Sequence, residues 1–363
     1  MDEILLNFSQ NIISSLTSGH TTVKNYRQVP KVSQTRFSLT SSVLTKESNT
    51  MTSHPFLLPF QSIDYVKQYL AAKYEAQKLS NARTLAYKNG YPFLYYLEMG
   101  KQYVSQSEVA PLSTQPVLLF YGCVQWMKAC LLTVDPEYPG TTQVLAHGVT
   151  ARKRKKQDYS FLEDEVKVQK EGLFPYFSEQ MFHVKQLTGE KYKLNYVFRR
   201  IPEMASLIEK LYDHKPITKI SVSDQNVALP PLLLKNLEME LPRFLSLLKA
   251  EGIHMKGEKQ GNSFVLTPAG DFNVHPYLPI RHNESLYLPN DRAAFLPLPE
   301  LLSHYLILYS LSMICRYETE WWCELLHSFS SNDFPCIEHF LTISKYKLPQ
   351  LIEDLLTSQR FTH

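Results

Sequence analysis

The run Leu118-Leu119-Phe120-Tyr121-Gly122-Cys123-Val124-Gln125-Trp126-Met127-Lys128-Ala129-Cys130-Leu131-Leu132 decides the fold class. Pro111 and Pro116 bracket its start, and Asp135-Pro136-Glu137-Tyr138-Pro139-Gly140 stops it. The pattern predicts a helix over 117–134 that is apolar nearly all round, and such a helix belongs in the centre of a core. Gly122 in mid-helix costs about 1 kcal/mol relative to Ala, so its presence predicts a close helix–helix approach.

Outward from this run, most of the chain reads as helix. Ile63, Val66, Tyr69, Leu70 and Tyr74 recur at three-to-four spacing with lysines opposite. Asn89-Gly90 and Pro92 predict a break before Phe93-Leu94-Tyr95-Tyr96-Leu97 resumes. Phe161 to Lys170 reads as a charged helix ended by Gly172 and Pro175. Pro297 and Pro299 introduce a long apolar helix through about Tyr317, followed by helices over 321–329 and 337–346, and a last one opened by Leu348-Pro349. Between these lies a stretch of different character. Ile217, Ile220 and Val222 suggest a strand, Leu232 to Ala250 a helix kinked at Pro242, Ile253 to Leu266 two strands around Gly257 and Gly261, and Ser285 to Leu288 a further strand. The expected fold is mainly α: a multi-helix, bundle-like core with a small β-containing insert. The expected division is an N-terminal extension over 1–50, helical core over 51–215, an α/β insert over 216–290 and helical core again over 291–363.

Residues 1–50 differ from the rest. Sixteen of them are Ser or Thr and few are aromatic, a composition that cannot bury enough surface to offset the entropy of ordering. The expectation is a disordered extension or a start assigned upstream of Met51, with an Arg-poor transit peptide as a weaker alternative.

Bulk numbers bound the function classes. With 363 residues, 44% hydrophobic and 20% charged, the chain is of globular composition. A net charge of +3 is too mild to signal a nucleic-acid protein, so that reading must rest on local clustering. Five cysteines at irregular spacing, Cys123, Cys130, Cys315, Cys323 and Cys336, argue for a reducing compartment over a disulfide framework. Leu296 to Cys315 contains Pro297, Pro299, Glu300 and His304 and is a poor membrane span. A cytoplasmic protein without membrane contact is expected. No P-loop, G-x-G-x-x-G, G-x-S-x-G or H-E-x-x-H is present, and no cofactor is called for.

Four features compete for a functional role. Arg152-Lys153-Arg154-Lys155-Lys156 would attract phosphate oxygens, with Tyr159 and Phe161 near enough to stack. Its plain counterpart is a solvated loop balanced by Glu163, Asp164 and Glu165. His147-Gly148 is either a ligand-binding or catalytic histidine, or a loop anchor. Arg292, His304, Arg316 and Glu318 could line a polar pocket, or Arg316 and Glu318 could form a structural ion pair. Cys323 and His327, four apart, and Cys336 and His339, three apart, have helical spacings compatible with a zinc site, though no Cys-x-x-Cys knuckle is present and Trp321, Trp322, Leu325 and Phe329 around them look like packing residues.

Several blocks in order carry a family resemblance. Tyr91-Pro92-Phe93-Leu94-Tyr95-Tyr96-Leu97-Glu98, Pro116 to Gly122 through Lys128-Ala129-Cys130, Leu145-Ala146-His147-Gly148, Leu311-Ser312-Met313, and Arg316-Tyr317-Glu318 through Trp321-Trp322 resemble the YaaC family of Bacillus-type bacteria. The resemblance spans about Met51 to the C-terminus. It implies a cytoplasmic protein and carries over no functional residues. A looser similarity, through the Tyr-rich helix with its Lys128-Ala129 pair, is to HEPN-type helical domains. Many of those are ribonucleases with an Arg-x(4–6)-His motif, and this chain lacks that spacing: Arg316 to His327 is too long and Arg360 to His363 too short. The expected function is non-enzymatic binding, with the basic run contacting nucleic acid or another anion. The alternatives are a divergent HEPN-like ribonuclease or other hydrolase using His147, and a protein–protein adaptor.

Overall fold

The computed structural model describes residues 54–151, 159–223, 226–250, 253–261, 263–268, 280–282, 285–328 and 331–357. Residues 1–50 and the basic run 152–156 lie outside these, as do the expectations placed on them. The chain opens with helices α1 (Ile63–Ala76), α2 (Ala82–Val109) and α3 (Gln115–Val134). Strands β1 (Val149–Ala151) and β2 (Glu165–Val168), helix α4 (Leu173–Phe182), strand β3 (Lys191–Lys193), and helices α5 (Leu194–Phe198) and α6 (Ala205–Tyr212) follow. Then come β4 (Ile217–Ser223), β5 (Asn226–Leu229), α7 (Pro231–Asn236), α8 (Leu241–Ala250), β6 (Met255–Gln260), β7 (Ser263–Pro268), β8 (Ile280–His282) and β9 (Ser285–Pro289). Helices α9 (Glu300–Tyr317), α10 (Thr319–Ser328) and α11 (Asp333–Thr357) close the fold. The protein is mainly α with a small share of sheet.

Helix α3 is central because its sequence leaves it no polar face wide enough to stay in water. Leu119, Phe120, Cys123, Trp126, Met127, Ala129, Cys130 and Leu131 are fully buried, and the helix packs on α1, α2, α4, α9 and α11. Among the described residues it is also the one helix long and apolar enough to cross a membrane, and most of it is buried inside the protein. Its tightest contact is with α2. A Cβ on Gly100 would fall inside the Trp126 ring, and one on Gly122 would stand 2.8 Å from Val104 Cγ2 and 3.3 Å from the Gly100 carbonyl. Trp126 Nε1 donates to the Leu97 carbonyl at 3.1 Å across the same crossing. The close approach expected from Gly122 is therefore present, and Gly100 is its partner.

Two antiparallel sheets flank the helices. The smaller has the order β1-β2-β3. The larger has the order β6-β7-β5-β4-β9-β8, with Ile220 opposite Leu286 and Val227 opposite Leu266. Its apolar side and α7 and α8 enclose a second core of Ile220, Val227, Leu229, Leu233, Phe244, Leu248, Leu266, Leu288 and Phe295. The main core gathers most of the other buried apolar residues, from Leu57 to Leu356.

Four local expectations are overturned, each for a tertiary reason. The break at Asn89-Gly90 and Pro92 is absent, and α2 runs through with Pro92 on its exposed side. Asn89 Nδ2 instead ties the helix to the Tyr74 hydroxyl (3.1 Å) and the Pro136 carbonyl (2.8 Å). The charged helix over 161–170 is instead strand β2. Glu165-Val166-Lys167-Val168 alternates, with Val166 and Val168 buried, and it completes a ladder between β1 and β3. Leu232–Ala250 is two helices and not one kinked helix. Glu238, at φ 51°, turns the chain between them, and Pro242 sits in the first turn of α8 where its missing N–H costs nothing. The last two expected helices are one. α11 carries Pro349 inside it because Ile337, Phe340, Leu341, Ser344, Leu348 and Ile352 keep one unbroken buried face.

Replacing Gly100 by Ala is expected to lower unfolding stability by about 3 kcal/mol, the upper range for overpacking a core. Gly122→Ala should cost no more than about 1 kcal/mol, because the Val104 methyl can shift and the gain in helix propensity offsets part of the clash. Urea denaturation of the two variants checks both the size and the order.

Candidate functional site

His147 is held by backbone before its side chain does anything. Gly148 (φ 78°) and Gly172 (φ 127°) adopt conformations that favour glycine and pack against each other so closely that a Cβ on either would strike the other's strand of chain. The Leu173 N–H donates to the Ala146 carbonyl at 2.7 Å, and the Phe174 N–H and the Tyr305 hydroxyl donate to the His147 carbonyl at 3.2 and 2.8 Å. The loop before β1 is thus clamped to the start of α4 and to α9.

The ring it presents sits among aromatics and cations. Phe120, Tyr309 and Tyr121 lie edge-on to His147 at centroid distances of 5.0, 5.6 and 6.5 Å. The Tyr309 hydroxyl is hydrogen-bonded to the backbone of Ala151. Arg316, in the last turn of α9, lies over Tyr121 (6.0 Å) and Tyr317 (5.2 Å). Its Nε donates to the Ser312 carbonyl at 3.0 Å. Lys128, one face with Tyr121 and Gln125 on α3, stands 5.7 Å from the Tyr96 ring. Burial, then Arg316 and Lys128, lower the His147 pKa, so the imidazole is neutral at pH 7. Burial likewise lowers that of Lys128. Among the described residues neither Lys128 nor Arg316 forms an ion pair. Asp135, which follows α3, is engaged by the Tyr176 hydroxyl at 2.5 Å. Near Tyr96, Tyr138 buries a hydroxyl with no partner among the described residues. Half-buried cations without a counter-ion favour anions at this surface.

The other residues singled out in the sequence are dispersed. His304 and Arg316 lie twelve residues apart on α9, about 18 Å along the axis. Arg292 is exposed in a 3-10 turn, and Glu318 caps the end of α9. The four do not share a pocket, and Arg316 makes no ion pair with Glu318. Cys323 and His327 are exposed on α10, Cys336 is buried, and His339 Nε2 is 3.3 Å from the Glu203 carbonyl. These do not converge, and among the described residues no three His, Cys, Asp or Glu side chains are arranged to hold a metal. The five cysteines are free thiols. Lys128 and the tyrosines were legible only as a pattern: Tyr121, Gln125 and Lys128 form a half-exposed stripe on an otherwise apolar helix.

A second polar cluster, invisible in the sequence, is buried. Lys347 Nζ on α11 lies 2.8 Å from Glu203 Oε1 and 3.3 Å from Glu300 Oε1. His304 Nδ1 is 2.9 Å from Ser344 Oγ, and its Nε2 is 3.9 Å from Glu300. His282 on β8 meets Glu203 at 3.2 Å. Ser344, His304 and Glu300 have the residue types of a hydrolase triad, but Ser344 and His304 are wholly buried, so no substrate reaches them. The cluster binds the sheet's edge strand to the helical body.

Fold and surface together define a mainly helical protein with a fixed, cation-rich aromatic face. A family model described as YaaC-like Protein matches residues 58–356, and the chain belongs to that family. No curated protein and no solved structure matches it.

Removing the cation that joins two buried carboxylates should be costly: Lys347→Met is expected to destabilise by about 3–5 kcal/mol, measured by denaturant unfolding. His147 gives a pH test. Its folded pKa lies below the unfolded value of about 6.5, so the unfolded state binds more protons below that pH and stability falls on acidification. His147→Gln should lose less stability than wild type between pH 7 and pH 5, read from paired thermal melts.

Proposed function

We propose that this protein is a non-enzymatic cytoplasmic binding protein whose face around His147 contacts a phosphate-bearing anion, nucleic acid above all. The observation that carries this reading is the gathering of Arg316 and Lys128 about His147 with no carboxylate partner among the described residues. Guanidinium groups form charge-assisted, bidentate hydrogen bonds with phosphate, and a half-dry setting strengthens them. The sequence adds five cations from Arg152, the residue after Ala151. Tyrosine faces beside the cations suit bases as well as phosphates.

A second reading is a hydrolase, including a HEPN-like ribonuclease, with His147 as base. It is favoured by the neutral imidazole, the form that accepts a proton. Against it, no nucleophile or orienting carboxylate faces the ring among the described residues. Phosphodiester cleavage abolished by His147→Ala would favour this reading. A protein–protein adaptor is the remaining class.

Binding to labelled RNA or DNA should weaken log-linearly with salt. The double exchange Lys128→Gln/Arg316→Gln should reduce the salt slope by about one per charge removed, and Ser at all of 152–156 should abolish most retention. Retention that ignores salt, or persists in both variants, removes the reading; nuclease-insensitive capture of a protein from the native cell supports the adaptor.

A further inference from the structure

The i, i+4 row of α2 is Tyr87, Tyr91, Tyr95, Met99 and Tyr103. Its first four members are exposed, at 71%, 50%, 58% and 40%. Exposed aromatics scattered singly are ordinary, but three tyrosines and a methionine in consecutive places on one helical ridge are not. The row rises about 6 Å per step and about 24 Å in all. Tyr91 and Tyr95 stand 5.9 Å apart. At one end Lys67 Nζ lies 4.3 Å from the Tyr87 ring and 5.9 Å from Tyr91, its stem lying against Gly90. At the other, Tyr103 meets Tyr121 at 5.9 Å, and Tyr121 lies under Arg316 beside His147. Like Arg316, Lys67 forms no ion pair among the described residues. The ridge is therefore a row of tyrosines interrupted by Met99, with Lys67 at one end and, beyond Tyr103 and across Tyr121, Arg316 of the His147 cluster at the other.

We propose that this ridge is a stacking track for single-stranded nucleic acid, which it delivers to the His147–Lys128–Arg316 face. The proposal rests on the anion-binding reading above and names its ligand. Separate rings spaced along a helix can stack on bases only where the base faces are free, which a duplex does not allow. Stacking on rings between cations is how strands are bound without regard to sequence. A proline-rich peptide also docks on tyrosines, but it gains nothing from cations at both ends. Glu98, on the adjoining face, is engaged with Gln102 at 3.0 Å.

The test is fluorescence anisotropy on the full chain with oligo-U and oligo-dT of about a dozen nucleotides. A duplex of equal length and inorganic polyphosphate serve as the other ligands. Wild type should bind the single strands more tightly than the duplex. Tyr87→Ser/Tyr91→Ser/Tyr95→Ser should weaken single-strand binding about tenfold or more and leave polyphosphate binding unchanged. The matching triple Phe variant should bind single strands as wild type does. These rings are exposed, so an unchanged melting temperature shows that the Ser variant is folded. A Ser variant that binds oligomers as wild type does, or a wild type that prefers duplex, overturns the track while the anion-binding reading stands. Wild type that binds neither oligomer nor polyphosphate overturns both, and ridge-dependent binding of a proline-rich peptide in place of oligomers puts a protein partner on the track.

Discussion

The crossing of α2 and α3 is the constraint on which the remainder depends. Two glycines, Gly100 and Gly122, let the backbones approach, and the Trp126 ring fills the space over Gly100 while its indole N–H reaches the Leu97 carbonyl. With α2 seated this closely on one side, α3 offers its other side to α9, where Phe120 meets Tyr305 and Tyr309 at 5.3 and 5.7 Å. Everything that distinguishes the surface follows from that sandwich. Tyr103 can touch Tyr121, Lys128 can reach Tyr96, and Arg316 can lie over Tyr121, because three helices are held within side-chain reach of one another.

Polar anchors fix what the apolar core leaves free. Arg200 donates to the Ala294 and Leu298 carbonyls at 3.0 and 2.8 Å, and Arg199 pairs with Asp291 at 2.8 Å. Together with the Glu203–His282 contact they fasten the segment bearing the larger sheet to the helical body, although that sheet has its own core. Asp333 receives the Phe161 and Leu162 N–H groups at 2.7 and 3.2 Å, which ties the first turn of α11 to the chain just before β2. The Arg200 and Asp333 anchors satisfy buried donors that would otherwise cost free energy.

The contrast between the two polar clusters shows why residue type alone does not define a site. Ser344, His304 and Glu300 have catalytic residue types and no access. Among the described residues His147, Lys128 and Arg316 have no hydrolytic partner, and they are half-buried, with the half-buried Tyr121 and the exposed Tyr317 beside Arg316. Access and uncompensated charge, more than composition, mark the second as the place where a ligand would gain free energy.

By itself the sequence determined the mainly helical class, the central position of α3 and the close approach at Gly122, because these follow from composition and local periodicity, and its ordered blocks from Tyr91 to Trp322 carried the family resemblance. It also singled out His147 and Arg316 by residue type. It misjudged Pro92 and Pro349, where a long buried face on one side of a helix outweighs a local breaker. It misjudged Glu165–Val168, where pairing with strands on either side outweighs a charged, helix-compatible composition. Only the tertiary structure decided that Lys128, His147 and Arg316 share one face, that His304 belongs to a buried network far from Arg316, and that Cys323, His327, Cys336 and His339 stay apart. The reason is physical: burial is written into the order of apolar residues along each helix, whereas convergence of charges from distant segments is set by how the helices pack.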